Sequence, residues 1–192
     1  MKKIINIQEN KEVIETALRG TGRDGIENLL DYMDKAGFYT APASTKYHGA
    51  VEGGLADHSI NVLKIATLTA FALKGAYMET IENSIIITSI LHDLGKVGQF
   101  GKPLYVDNVL KKGISEAQPY KTNPDLHTLP HEVVSCIEVE RFIELTPEEQ
   151  QAIAWHNGLY GAFKYEIQGK ETPLYLILHF ADMWASRVIE VD

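Results

Sequence analysis

The chain has 192 residues and a net charge of −8, which is room for one core of ordinary size but not two, and a sign that disfavours sequence-blind attraction to a phosphate backbone. Hydrophobic residues make up 45% and charged residues 23%, the balance of a folded domain and not of a disordered chain. One cysteine, Cys136, excludes an internal disulfide, and without an apolar leader or a run of roughly 18 uncharged apolar residues the expectation is a reducing, cytoplasmic location with no membrane partner.

Helices are expected within residues 1–40. Over 24–36, Ile26, Leu29, Leu30 and Met33 fall on one face, with Asp24 as N-cap and Gly37 as the stop. The following stretch, with Pro42 and three glycines, reads as an irregular loop leading into a long helix over 55–75, whose apolar stripe includes Ile60, Leu63, Leu68 and Phe71. Residues 80–92 have β-branched members but are too long and unbroken for an edge strand, and are read as a buried helix. Gly, Pro, Asn and Asp punctuate 95–129, a long loop with room for a hairpin; loops of this length are usually functional. A helix is expected over 132–142. The next is announced by Thr146 at N-cap, Pro147 at N1 and Glu149 at N3, and should run to about His156. A small hairpin is expected over 163–174, and the last helix, 174–190, is nearly apolar all round in its first half and should lie in the core.

Seven histidines are informative by position. His92 and Asp93 adjoin in ILHDLGK, at the end of the most hydrophobic stretch of the first half. Alone, that dipeptide is equally compatible with a histidine satisfying the last carbonyls of a helix. His58 lies near the start of the long helix, and Asp182 lies inside a very apolar one, with no Lys or Arg close by before Arg187. A carboxylate buried without a partner costs several kcal/mol, so Asp182 needs a cation. Two imidazoles and two carboxylates make a mixed site suited to Mn, Fe, Zn or Ni and not to Ca.

His58, then His92-Asp93 followed by Leu94-Gly95-Lys96, then Asp182, resembles the HD-domain superfamily of metal-dependent phosphohydrolases, in order and setting across 47–187. The resemblance implies an all-α HD-domain bundle with long loops and one or two small hairpins, forming a single domain over 1–192. It implies His58, His92, Asp93 and Asp182 as ligands of one metal. His131, opening a helix in LPHEVVSC, and His156, closing one in AIAWHNG, match the subset that holds two metals, with Asp93 bridging; a bridging carboxylate keeps two cations about 3.5–4 Å apart despite their repulsion. Helix capping for His131 and a dipole contact for His156 stay open as alternatives.

By the same resemblance Lys96 contacts substrate phosphate, the other reading being a solvated surface lysine. His48 either touches substrate or is an ordinary loop histidine. His179 could orient Asp182 or simply be a satisfied core histidine; His127, Trp155 and Trp184 are given no chemical role, and Ser59 and Cys136 are structural. The chain is also similar to small stand-alone HD hydrolases of bacteria and phages and to the HD module of bacterial 3′→5′ exoribonucleases. HDLGK is not followed by the GYP-bearing helix of cyclic-di-GMP hydrolases and there is no adjacent His-His pair, so that substrate is not expected, nor is processive RNA degradation by this chain alone, without the OB-fold of the exoribonucleases.

The expected activity is hydrolysis of a phosphoester in a nucleotide, cyclic nucleotide or short nucleic-acid end by a metal-activated hydroxide, with Asp93 and Lys96 catalytic, Lys96 and His48 on the substrate, and one or two ions of Mn, Fe, Ni, Co, Zn or Mg. Alternatives are a mixed-valent di-iron oxygenase resembling myo-inositol oxygenase and a catalytically silent nucleotide-binding module. If the metal-free centre is a cluster of uncompensated carboxylates, Asp93→Asn should raise its resistance to heat.

Overall fold

The computed structural model describes residues 5–74, 77–158 and 164–191. Its fold is all-α with two small antiparallel hairpins. Helix α1 (Ile7–Gly20) is capped by Asn6, whose side chain accepts from the N–H of Glu9, and it buries Ile14 and Leu18. Helix α2 (Ile26–Lys35) buries Ile26, Leu29, Leu30 and Met33, the expected face. Its stop is also as expected: Gly37 has φ 80° and the N–H of Phe38 reaches back to the carbonyl of Met33. The N-cap is not Asp24, however. It is Gly25, with no side-chain cap, because that glycine is packed onto the carbonyl of Phe142.

Helices α3 (Gly54–Lys74) and α4 (Tyr77–Leu91) form the centre of the molecule; the expected end of α3 at Gly75 lies outside the described residues. The buried face of α3 runs through Leu55, His58, Ile60, Val62, Ala66 and Ala70, whereas Leu68 and Phe71 are exposed. The apolar stripe expected there is therefore partly wrong: α3 is apolar on more than one face, and the packing of α4 and of the last long helix of the chain selects the small-residue face for close approach. A single 3-10 turn (Leu94–Val97) follows α4. The long loop then folds into nested hairpins, β1 (Tyr105–Asp107) paired with β4 (Tyr120–Thr122) and β2 (Val109–Leu110) paired with β3 (Gly113–Ile114).

Helix α5 spans His131–Glu140. Helix α6 (Pro147–Trp155) begins with the expected capping box, in which Thr146 and Glu149 satisfy each other's backbone N–H groups. Glu149 is fully buried and also takes the Arg23 guanidinium at 2.5 Å, tying α6 to the α1–α2 connection. Where a hairpin was expected over 163–174, the described part forms the short helix α7 (Lys164–Ile167), and Thr172 caps α8 (Pro173–Trp184). A π-helical turn (Ala185–Ile189) extends it. Helix α8 buries Leu174, Tyr175, Ile177, Leu178 and Ala181 but exposes Leu176 and Phe180, so only one side of it lies in the core.

The core is two apolar clusters. One joins α1 and α2 to the first turns of α3 and the end of α4; the other joins the later turns of α3 to α8. Among the described residues, no helix is long and apolar enough to cross a membrane.

Candidate metal centre

His58, His92, Asp93, His131, His156 and Asp182 come from five different elements; buried apolar neighbours deliver His92, Asp93 and Asp182, whereas His131 follows the exposed Leu129 and Pro130. His58 is in the second turn of α3, His92 and Asp93 follow Leu91 at the end of α4, His131 opens α5, His156 ends α6, and Asp182 follows Ala181 in α8. Two close approaches make the convergence possible. A Cβ on Gly95 would stand 2.2 Å from the carbonyl of His131, so only glycine there lets the start of α5 lie against the 3-10 turn, and Ser135 Oγ fixes it by accepting from the Gly95 N–H. A Cβ on Gly54 would stand 2.0 Å from the carbonyl of Gly49; its absence brings the His48 loop across the start of α3.

Asp93 is at the middle. Its Oδ2 faces His92 Nε2 at 3.4 Å and His58 Nε2 at 3.7 Å, and its Oδ1 faces His131 Nε2 at 3.1 Å and His156 Nε2 at 3.5 Å. Asp182 Oδ1 lies 3.2 Å from His58 Nε2. Among the described residues, His58–His92–Asp93, His92–His156–Asp182 and Asp93–His131–His156 each bring their ligand atoms within 4.8 Å of one another. Two atoms bound to one ion at 2.0–2.2 Å are at most about 4.4 Å apart, so only a small contraction is needed.

The outer nitrogens decide what the inner ones can do. His92 Nδ1–H donates to the carbonyl of Ser89 at 2.9 Å and His156 Nδ1–H to that of Ile153 at 2.8 Å. His58 Nδ1 pairs with Glu190 Oε2 at 3.0 Å, and His131 Nδ1 with Glu132 Oε2 at 3.3 Å. Each Nδ1 therefore faces an acceptor, which places the lone pair of a neutral ring on Nε2, directed at the centre. His58 Nε2, His92 Nε2 and Asp93 Oδ1 are buried and have no hydrogen-bond partner. Leaving such atoms orphaned is costly, and a cation satisfies all three. The donor set thus fits divalent metal ions.

The charges respond to this crowding. Burial alone would drive His58 neutral, yet Asp182 and Glu190 outweigh it and push its pKa up to about 10. Burial holds His92 below the usual imidazole value. Asp93 resists burial because Lys96 and the surrounding imidazoles hold its carboxyl well below the usual range. Lys96, itself buried, donates to Asp93 Oδ2 at 2.6 Å and has its pKa raised by that partner against its desolvation. The carboxylates are therefore compensated, not bare.

A cavity of about 570 Å³ opens onto the centre, lined among others by Asp93, Lys96, His156, Asp182 and His48. His48 is stacked obliquely near His58, with ring centroids 4.8 Å apart, and its Nε2 is buried without a partner. Burial, with the charges of His58 and Lys96, lowers its pKa to about 4. His179 does not bond to Asp182: its Nδ1–H donates to the carbonyl of His156, so it braces the end of α6. His127 is exposed in coil. Trp184 packs on Phe180, and Cys136 has its thiol pushed up to about 11 by burial and nearby glutamates, which leaves it a poor nucleophile. Glu190, Glu132, Asn61 and Asn157 were not foreseen. Asn61 donates to Glu190 Oε1 at 2.9 Å and Asn157 to Glu132 Oε1 at 2.7 Å, so both glutamates are held in place. Glu132 and Asn157 directly follow His131 and His156, which is a usable signal; Glu190 carries none.

The arrangement is a His/Asp centre from a helical scaffold, with clustered donor atoms that could hold a metal ion, beside a cavity large enough for a small molecule. No protein-family model matches the chain, and no solved structure matches it. Over 96 residues it is 33% identical to a dihydroneopterin 2′,3′-cyclic phosphate phosphodiesterase of Methanocaldococcus jannaschii, a match covering 50% of this chain and 33% of the relative. The chain thus spans about a third of the length of the curated relative it matches.

Proposed function

We propose that the chain is an HD-type, metal-dependent phosphohydrolase acting on a small phosphodiester, with His58, His92, Asp93 and Asp182 holding one divalent ion and His131, His156 and Asp93 a second. The observation that carries the reading is Asp93, whose two oxygens face two separate pairs of imidazoles, each ring locked by an acceptor on its outer nitrogen. Divalent ions held there would lower the pKa of water and polarise phosphoryl oxygens. The chain's own groups do the rest. Asp93 offers one oxygen to each half of the site, Lys96 places a positive charge beside it where negative charge grows on the phosphoryl group, and His48, neutral near pH 7, offers a hydrogen bond from the cavity wall. The relative's substrate is a 2′,3′-cyclic phosphate, which makes a strained cyclic phosphodiester of a nucleotide-sized molecule the first substrate to try. That similarity also favours hydrolysis over the di-iron oxygenase, which would use the same ligand types.

The test is metal analysis of protein purified without chelator, followed by hydrolysis of nucleoside 2′,3′-cyclic phosphates with added Mn, Fe, Co, Ni, Zn or Mg. The expected result is close to two ions per chain and chelator-sensitive hydrolysis, both lost in Asp93→Asn. Full activity and parental metal content in Asp93→Asn would end this reading; oxygen consumption with a coupled Fe(II)/Fe(III) resonance would replace it with the oxygenase. Nucleotide binding without turnover under every metal would revive the silent module.

A further inference from the structure

The cavity over Asp93 does not end at the metal centre. Lys46 and Tyr47 lie on its wall, and a second hollow of about 340 Å³ starts from the same Lys46, Tyr47, Glu190 and Val191 and extends to Pro119 of the hairpin insert. Tyr47 is 71% exposed at this junction. One exposed tyrosine is ordinary, but the backbone beneath this one is tied down on both sides. The Tyr47 N–H donates to Ser44 Oγ at 2.9 Å, and that hydroxyl donates to the carbonyl of His48 at 2.8 Å. The Ala43 N–H donates to the carbonyl of Gly49, closing the loop, and the Tyr120 N–H of β4 donates to the carbonyl of Thr45. The Lys46 ammonium stands 5.0 Å from the centroid of the Tyr47 ring.

A tyrosine on a fixed backbone loses little entropy when a partner covers it, because it has only two side-chain torsions. The next residue in the chain, His48, lines the cavity beside Asp93 and Lys96. A substrate whose phosphoryl group sits at Asp93 therefore shares its cavity with an exposed aromatic ring that has a positive charge over it. We propose that Tyr47, assisted by Lys46, is a stacking subsite for a planar heterocycle carried by the substrate. The substrate class is then a small phosphodiester bearing a flat nitrogen heterocycle, not a sugar phosphate or a lipid phosphate. This rests on the phosphodiesterase reading above and names the part of the substrate that the metal centre leaves open. Stacking of this kind tolerates different rings, since each has a π-face, so the subsite selects for a ring more than for a particular base.

The experiment compares the parent with Tyr47→Ala and Tyr47→Trp, all manganese-loaded. Calorimetry measures binding of guanosine monophosphate and of methyl phosphate, a ringless control; kinetics measures KM for guanosine 2′,3′-cyclic phosphate and for ethylene phosphate, its ringless counterpart. Loss of one stacked ring costs about 1–3 kcal/mol, so Tyr47→Ala should weaken guanosine monophosphate binding and raise KM for the cyclic nucleotide by about 5- to 150-fold. Methyl phosphate and ethylene phosphate should be unaffected, and Tyr47→Trp should retain or tighten nucleotide binding. Equal weakening of ringed and ringless ligands, no weakening, or a parent that binds guanosine monophosphate no better than methyl phosphate would each overturn the subsite. Binding through Tyr47 without hydrolysis of either diester would instead sink the hydrolase reading and leave the subsite standing.

Discussion

At the scale of single residues, charge matching at Asp93 reverses one expectation. If the metal-free centre were a cluster of bare carboxylates, neutralising Asp93 would relax it and raise the resistance to heat. In the structure Lys96 and four imidazoles surround Asp93, and the partners agree: the Asp93 carboxyl is held low and the Lys96 ammonium high. Replacing Asp93 by Asn would leave a buried ammonium without its anion, a kind of change that costs about 3–5 kcal/mol. Chelator-treated Asp93→Asn should therefore melt below chelator-treated parent; a higher melting temperature would show that the carboxylates dominate after all. Glu190 gives a second residue-scale prediction. It fixes the His58 ring through Nδ1, and loss of such an outer partner typically lowers metal affinity by about 10–100-fold. Glu190→Ala should show that loss in a competitive metal titration and Glu190→Gln a smaller one. Parental affinity in Glu190→Ala would remove Glu190 from the centre. The six candidate ligands were legible because their runs and their order in the chain resemble those of HD-domain proteins, not because any one run is decisive alone. Glu190 was not, because its meaning depends on facing a ring 132 positions away, which no local spacing records.

Elements were legible where a terminus is written in side chains. The Thr146–Glu149 capping box and the Gly37 stop act over a few residues, so propensity and hydrogen bonding agree before any packing is considered. They were less legible where several faces are apolar, as in α3, or where a short polar stretch alternates, as before α8. Gly95 shows how one backbone position carries an element into the site. A methyl group there would meet the His131 carbonyl and the Ser135 N–H, forcing α5 away from the 3-10 turn. Overpacking of this sort costs about 1–3 kcal/mol, so Gly95→Ala should lower thermal stability and, by moving His131, reduce bound metal toward one ion per chain. Unchanged stability and metal content in that variant would mean that α5 can approach without the glycine.

For the whole molecule, two ions held by the centre would together cross-link α3, the end of α4, α5, α6 and α8, segments far apart in the chain. A ligand that binds only the folded state stabilises it by mass action, by about 2.7 kcal/mol at a hundred times its Kd, or about 5–10 °C for a chain of this size. Manganese at that excess should raise the melting temperature by this amount and chelator should reverse it; no shift with any of the six candidate ions would argue that the cluster is structural. The helical class, most element positions and the identities of the six convergent side chains were set by the sequence itself, because periodicity, caps and ligand-type residues are local chemistry. Only the tertiary structure decided which oxygen of Asp93 faces which imidazoles, that Lys96 is buried against Asp93, that Glu190 holds His58, and that Tyr47 stands at the junction of two hollows. Each of these depends on distances between segments far apart in the chain, and those distances are determined by the packing of α3, α4 and α8 and by the glycines that let backbones touch.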